Sequence, residues 1–251
     1  MIRALLFWLT LSCPAFASEA IVAGLSQNRV AITADFNGSE ILIYGAVKRD
    51  APAPKGPMHV IITVEGPKIP VIVRKKARRF GIYVNDESVQ ISSAPSFYAV
   101  ATTGRLAETL SETENLRHRI TLPLVIRPVG ISTQAEDAPD FVAATIRIRE
   151  KEDRYRLEER SVQFTEATLF RADVDLPANL SEGLYQVRVF LTRDGQVVDR
   201  FDQQINVRKA GLERFLFNMS REQPLIYGLL SLLIAVVAGW AASAAFRQMK
   251  R

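Results

Sequence analysis

Residues 29–48 read RVAITADFNGSEILIYGAVK, and the fold class turns on this stretch. Val30, Ile32 and Ala34 fall on one face of an alternating pattern, as in a strand with one side buried. Asn37-Gly38 is a tight-turn signal, because both residues tolerate positive φ. Glu40–Lys48 then resumes the strand pattern.

Working outward, Asp50–Pro57 carries three prolines and one glycine and reads as a loop. His59–Glu65 (HVIITVE) reads as a strand, Gly66-Pro67 as a turn, and Ile69–Arg74 (IPVIVR) as another strand. Shorter strand segments follow around Tyr83, Ile91 and residues 97–101. Strands this closely spaced predict a mainly β chain, an antiparallel β-sandwich of immunoglobulin-like kind. Helical patterns interrupt it. Leu106 and Leu110 stand four apart among Glu108, Glu112 and Glu114, predicting a short amphipathic helix over 105–116. A longer helix is predicted over 139–160, with Phe141, Thr145, Ile148 and Tyr155 on one stripe. Glu150/Arg154 and Glu152/Arg156 would pair on its exposed side. Strands return at Leu169–Asp175, Leu184–Thr192 and Val197–Val207, with Asp194-Gly195 closing the last two as a hairpin. The expected divisions are a β-sandwich region over 18–104, a helical insertion over 105–160 and a second β region over 161–210.

The two ends predict the compartment. Arg3 followed by the apolar run Ala4–Leu11 and the small-x-small triplet Ala15-Phe16-Ala17 reads as a signal peptide over 1–17. The rival reading, acylation of Cys13, meets a poor lipobox in Thr10-Leu11-Ser12. At the other end Leu225–Phe246 is uncharged and long enough to cross about 30 Å of hydrocarbon. Tyr227 and Trp240 stand towards its two ends, and Arg247, Lys250 and Arg251 follow. The positive-inside rule then places the tail 247–251 in the cytoplasm and the body in the periplasm of a bacterial inner membrane. Between body and span, residues 211–224 form a juxtamembrane segment, with Leu212, Phe215, Leu216 and Met219 at helical spacing. It either lies at the lipid surface or continues the anchor. Inside the span, Ser231, Ala235, Gly239 and Ser243 recur every fourth residue, a flat stripe that a second helix could approach. The partner expected there is an inner-membrane permease or a second copy of the chain.

Composition narrows the chemistry. The 251 residues carry 32 Lys+Arg against 27 Asp+Glu, a net charge of +5 spread along the chain. With one Cys and two His there is no Cys/His zinc cluster and no disulfide framework. His59 and His118 read as surface or edge residues, and His118 between Arg117 and Arg119 would make a poor metal ligand. Neither a Gly-rich phosphate loop nor a nucleophile elbow occurs, so no catalytic residue, metal or cofactor is expected. The densest charge run is Arg74-Lys75-Lys76-Ala77-Arg78-Arg79. Its five cations could bind an anion, lipid headgroups or an acidic partner face, or could simply keep an exposed strand edge soluble. Nucleic acid is not expected as a partner of an exported domain.

Five stretches together resemble a family of single-anchor alphaproteobacterial membrane proteins that has no assigned activity. They are RVAITADFNGSEILIYGAV (29–47), RKKARRFGIYVN (74–85), PSFY (95–98), LPANLSEGLYQVRV (176–189) and Val207–Arg247 with its KAGLERFLF, PLIYGLL and AGWAASAAFR elements. Members that this chain resembles are encoded beside permeases of the sulfite/sulfonate-exporter type. The resemblance therefore implies a binding or accessory role in anion export. The alternative from the residues themselves is an anion sensor or binder using 74–79 without a transporter. The resemblance brings no catalytic residues to carry over.

Overall fold

Valine and isoleucine crowd one another at single-residue spacing between Met58 and Glu65, which only a strand covered on both faces can bury. A computed structural model describes residues 19–33, 36–52, 56–126, 138–210 and 219–249. The signal-peptide expectation, Cys13, Ala34, most of the juxtamembrane segment, Lys250 and Arg251 lie outside the described residues, as do the side chains of Ser243 and Arg247. The strands are β1 (Glu19–Leu25), β2 (Arg29–Ile32), β3 (Ser39–Arg49), β4 (Met58–Glu65), β5 (Lys68–Arg79), β6 (Ile82–Pro95) and β7 (Tyr98–Thr102). Four helices follow: α1 (Leu106–Thr109), α2 (Glu112–His118), α3 (Leu122–Val125) and α4 (Ala138–Lys151). Then come β8 (Tyr155–Glu158), β9 (Gln163–Thr165), β10 (Leu169–Leu176), β11 (Gly183–Arg193), β12 (Gln196–Lys209) and α5 (Pro224–Met249). The chain divides into two units, Met1–Val30 with Asn37–Val207, and Ala31–Phe36 with Arg208–Arg251.

One sheet has the order β1-β3-β10-β9, the second β2-β12-β11-β4-β7-β8, and β5 pairs with β6 alone. Strands from before and after the helical segment pair in both sheets: β3 with β10, and β4 with β11. The first sheet has one covered face, so its burial alternates: Phe170, Ala172, Val174 and Leu176 point in while Leu169 and Arg171 point out. In β4 every residue from Val60 to Glu65 is buried, whichever face it points to. Ile61 joins a cluster with Tyr98, Val100, Phe190, Leu110, Ile120 and Phe141, whereas Val60, Ile62 and Val64 face the other way. The second sheet is thus a middle layer, with helices and the foot of the β5–β6 hairpin packed over one side.

Three expectations are corrected. First, the strands flanking Asn37-Gly38 are not sheet neighbours: β2 lies beside β12 and β3 between β1 and β10. Gly38 does hold positive φ (114°), but the turn passes the chain from one sheet to the other. Second, the helix over 105–116 is broken. Leu110 is extended (φ −140°), and Ser111 caps a fresh helix by accepting a hydrogen bond from Glu114 N–H at 3.4 Å. Third, the helix predicted to reach Arg160 stops at Lys151. Asp153 adopts φ 56°, with Asp153 N–H bonding Glu150 O (3.1 Å) and Arg154 N–H bonding Arg149 O (2.9 Å), a left-handed C-terminal cap. Tyr155 therefore sits in β8, parallel to β7, and not on the helical stripe. The ion pairs also differ: Glu152 lies 3.5 Å from Arg149 and 3.4 Å from Arg154, and Arg156 approaches Glu158 at 3.9 Å.

The β1 edge is tied to the middle layer by charge. Glu19, whose side chain is 2% exposed, takes Arg49 at 2.9 Å and Arg193 at 2.8 Å. Burial pushes the Glu19 carboxyl up, but the hydrogen bonds and charges of Arg193 and Arg49 outweigh it and hold the group below its ordinary 4.5. Below pH 4.5 the unfolded chain takes up this proton before the folded one does. The contribution is present above 4.5 and lost as pH falls through the lowered folded value. Glu19→Gln is expected to cost about 1–3 kcal/mol at neutral pH and to flatten the acid limb of the stability curve. Thermal melts of both chains across acid pH check this; parallel acid limbs would refute it.

Candidate functional site

The basic run does not sit in a loop. It forms the outer half of β5, paired with β6: Arg79 with Ile82, Arg78 with Tyr83 and Lys76 with Asn85, then Lys75 with Glu87 after a one-residue register shift that leaves Asp86 unpaired in the ladder. Pro70 lies at a register shift between Ile69 and Val71, where a missing N–H removes no regular ladder bond. The inner half packs down through Val73, Ile91 and Ala94, with Val71 and Val89 partly buried. Beyond Val73 every residue to Arg79 is exposed except Ala77, which is half-buried. About six residues per strand therefore project some 20 Å as a two-stranded ribbon. Arg79 pairs with Asp86 at 2.5 Å and Lys75 with Glu87 at 3.6 Å. Arg74, Lys76 and Arg78 have no ion pair among the described residues.

At the foot of the ribbon, β5 and α4 border a cleft of about 300 Å³. Its floor is apolar, from Val73, Phe141, Ala144 and Ile148, and its rim carries Arg74, Lys75, Arg147 and Asp140. A second hollow of about 320 Å³ continues along Val71 and Thr145 to Arg149, Glu152 and Arg154. Arg154 Nε is buried there and faces Glu152 Oε2 at 3.4 Å without hydrogen-bond geometry. Of the residues expected to bind an anion or partner, Arg74 and Lys75 border the cleft, whereas Lys76, Arg78 and Arg79 stand out along the ribbon. Arg147, Arg149 and Arg154 were missed. In sequence they belong to what reads as the solvated face of a long helix, and only the packing of α4 and the residues after it against β5 brings Arg147 to the cleft and Arg149 and Arg154 to the adjoining hollow.

Behind the cleft, the middle layer holds a buried polar cluster. Arg188 on β11 donates from Nε to Thr63 Oγ1 (3.1 Å), from Nη1 to His118 O (2.8 Å) and from Nη2 to Tyr98 Oη (3.1 Å) and Arg119 O (3.3 Å). Tyr98 in turn donates to Ile120 O at 2.6 Å, and Glu65 Oε2 lies 3.9 Å from Arg188. Burial pushes the Tyr98 phenol well above its ordinary range, and that of Tyr155, which donates to Pro95 O, up to about 12. Four hydrogen bonds run from Arg188 to protein atoms, and they fasten the end of α2 to the sheet. His118 is half-buried: its ring stands edge-on to Phe190 at 5.4 Å and its Nε2 is 3.3 Å from Glu114 Oε2. His59 Nδ1 lies 3.0 Å from Thr103 Oγ1. Among the described residues no group of three or more His, Cys, Asp or Glu could hold a metal ion.

The helix α5 belongs to the second unit. Its stretch Pro224–Ala242 is long and apolar enough to cross a membrane, and none of it is buried. Ser231 Oγ bonds back to Tyr227 O at 2.9 Å, and a Cβ at Gly239 would meet nothing within 4 Å. Ser231, Ala235 and Gly239 are thus open on the helix surface. The side chain of Ser243 lies outside the described residues.

The model of a protein family described as "Putative transmembrane protein (Alph_Pro_TM)" matches residues 20–248. The chain belongs to this family, a transmembrane one and alphaproteobacterial by name. No curated protein matches the chain.

Proposed function

We propose that this member of the transmembrane family is an anchored binding and accessory protein, its β domain on the periplasmic side of an inner membrane. It serves an exporter of small anions of the sulfite or sulfonate type. The observation that carries the reading is the cationic cleft between β5 and α4. Arg74, Lys75 and Arg147 supply charge-assisted donors for an oxyanion. Val73, Phe141 and Ile148 supply an apolar floor, which suits an organic sulfonate better than a bare sulfate. The basic residues Arg247, Lys250 and Arg251 support a cytoplasmic C-terminus. The open small-residue stripe on α5 supports a helix partner in the membrane. The reading involves no catalytic step.

In-membrane crosslinking followed by affinity purification and mass spectrometry of the tagged full chain tests the partnership. One stoichiometric permease is expected, and recovery of the protein with itself alone overturns the accessory role. Ala235→Leu with Gly239→Leu is expected to weaken the crosslinked complex severalfold while leaving insertion intact, since branched side chains hold two helices apart. Unchanged crosslinking would remove the stripe from the argument. A second reading, an anion sensor or binder acting without a transporter, is favoured by the ion-pair-free Arg74. Titrating sulfite, sulfate and phosphate against the full chain in detergent tests it, and no saturable binding at millimolar anion ends it.

A further inference from the structure

The tip of the β5–β6 ribbon combines exposed apolar side chains, a positive-φ turn and a basic shaft in one place. Phe80 is fully exposed (105%) and, with Gly81, makes the two-residue turn at positive φ (52° and 86°). Hairpin turns of this kind favour Asn, Asp or Gly at both positions, so a phenylalanine there is unfavourable in backbone and in hydration at once. No contact within the domain offsets either, since even a Cβ on Gly81 would meet nothing within 4 Å. Ile82 (65%) and Tyr83 (71%) stand beside it, also exposed. Behind this apolar tip the shaft carries Arg74, Lys75, Lys76, Arg78 and Arg79 against Asp86 and Glu87, five cations less two anions, or +3. A free two-stranded ribbon is marginal in water. An apolar end with a basic collar is the composition that binds at an anionic bilayer surface, rings in the headgroup region and cations among the phosphates.

We infer that the β5–β6 tip inserts Phe80, Ile82 and Tyr83 into the headgroup boundary of an anionic bilayer, with Lys76, Arg78 and Arg79 on lipid phosphates. The occupant is the lipid surface, chosen by charge complementarity and by the anchor: α5 keeps bilayer at high local concentration around every copy of the domain. The inference is independent of what fills the cleft at the ribbon's foot.

The full chain is reconstituted in nanodiscs of phosphatidylcholine, with or without phosphatidylglycerol. Phe80→Cys in a Cys13→Ser background carries an environment-sensitive fluorophore, and quenching by brominated acyl chains is read. In anionic discs the label is expected to shift to the blue and be quenched, while a label at Asn85→Cys on the shaft is quenched far less. Each cation at an anionic surface multiplies partitioning about fivefold, so Lys76→Gln with Arg78→Gln should lower the docked-to-free ratio about 25-fold. Lys76 and Arg78 are exposed, and an unchanged melting temperature verifies that these variants fold. A label at 80 that stays in water in anionic discs overturns the inference. So does equal quenching in neutral discs, or shielding that arises only in native membranes containing other proteins.

Discussion

Arg188→Ala is expected to lower the unfolding free energy of the β domain by about 3–5 kcal/mol, the cost of removing one partner of a buried charge cluster. The alanine removes the Arg188 donors from Thr63 Oγ1 and from the carbonyls of His118 and Arg119 at the end of α2. It also strands Glu65, only 8% exposed, with Lys68 at 3.1 Å as its remaining cation. It removes the guanidinium stacked 5.4 Å from the centre of the Phe190 ring as well. In a domain of this size each kcal/mol shifts the midpoint by about 2–4 °C, so the melt should fall by roughly 10 °C. Chemical denaturation of the full chain in detergent, followed by tyrosine near-UV circular dichroism, measures it. Arg188→Met with Glu65→Gln should recover a large part of the loss, because it removes both charges and not one of them. A loss under about 1 kcal/mol would mean that α2 is fastened elsewhere.

This cluster also shows where sequence reading stops. Arg188 lies in YQVRVFLT, where alternation alone places it on the solvent side of a half-covered strand. Only the helices laid over that face turn the position inward, and their docking is a long-range event that no local period encodes. The strands were legible because β-branched residues and turn signals act locally: Asp194-Gly195 closes β11 on β12 at φ 50° and 78°. The membrane helix was legible for the same reason. Sheet membership was not. Asn37-Gly38 specifies a reversal of the chain but cannot specify whether the next strand joins the same sheet or the facing one. The end of α4 failed differently. Phe141, Thr145 and Ile148 keep the helical spacing, and Tyr155 continues it by coincidence across a left-handed Asp153 that the sequence does not distinguish from an exposed helical aspartate.

The candidate site was half legible. A run of five cations is visible in any reading, but its meaning depends on what faces it. Along the outer ribbon only β6 does among the described residues, with Asp86 against Arg79 and Glu87 against Lys75. At the foot, α4 does, and Arg147 joins Arg74 and Lys75 over an apolar floor. That asymmetry yields the second large prediction. Arg74→Glu with Arg147→Glu should weaken sulfite or organic sulfonate binding by at least about 100-fold, since each charge-assisted contact is worth about 1.5–3 kcal/mol and each 1.4 kcal/mol is tenfold. Both side chains border the solvent side of the cleft, and the fold is expected to survive the change. Lys76→Glu with Arg78→Glu makes the same change in net charge farther out on the ribbon. If binding follows the cleft, that pair should cost tenfold or less and its effect should vanish at high salt, because only screened, long-range attraction is lost. Isothermal titration of the full chain in detergent separates the two. Equal losses from both pairs would mean that the run attracts anions diffusely and that the cleft does not select them.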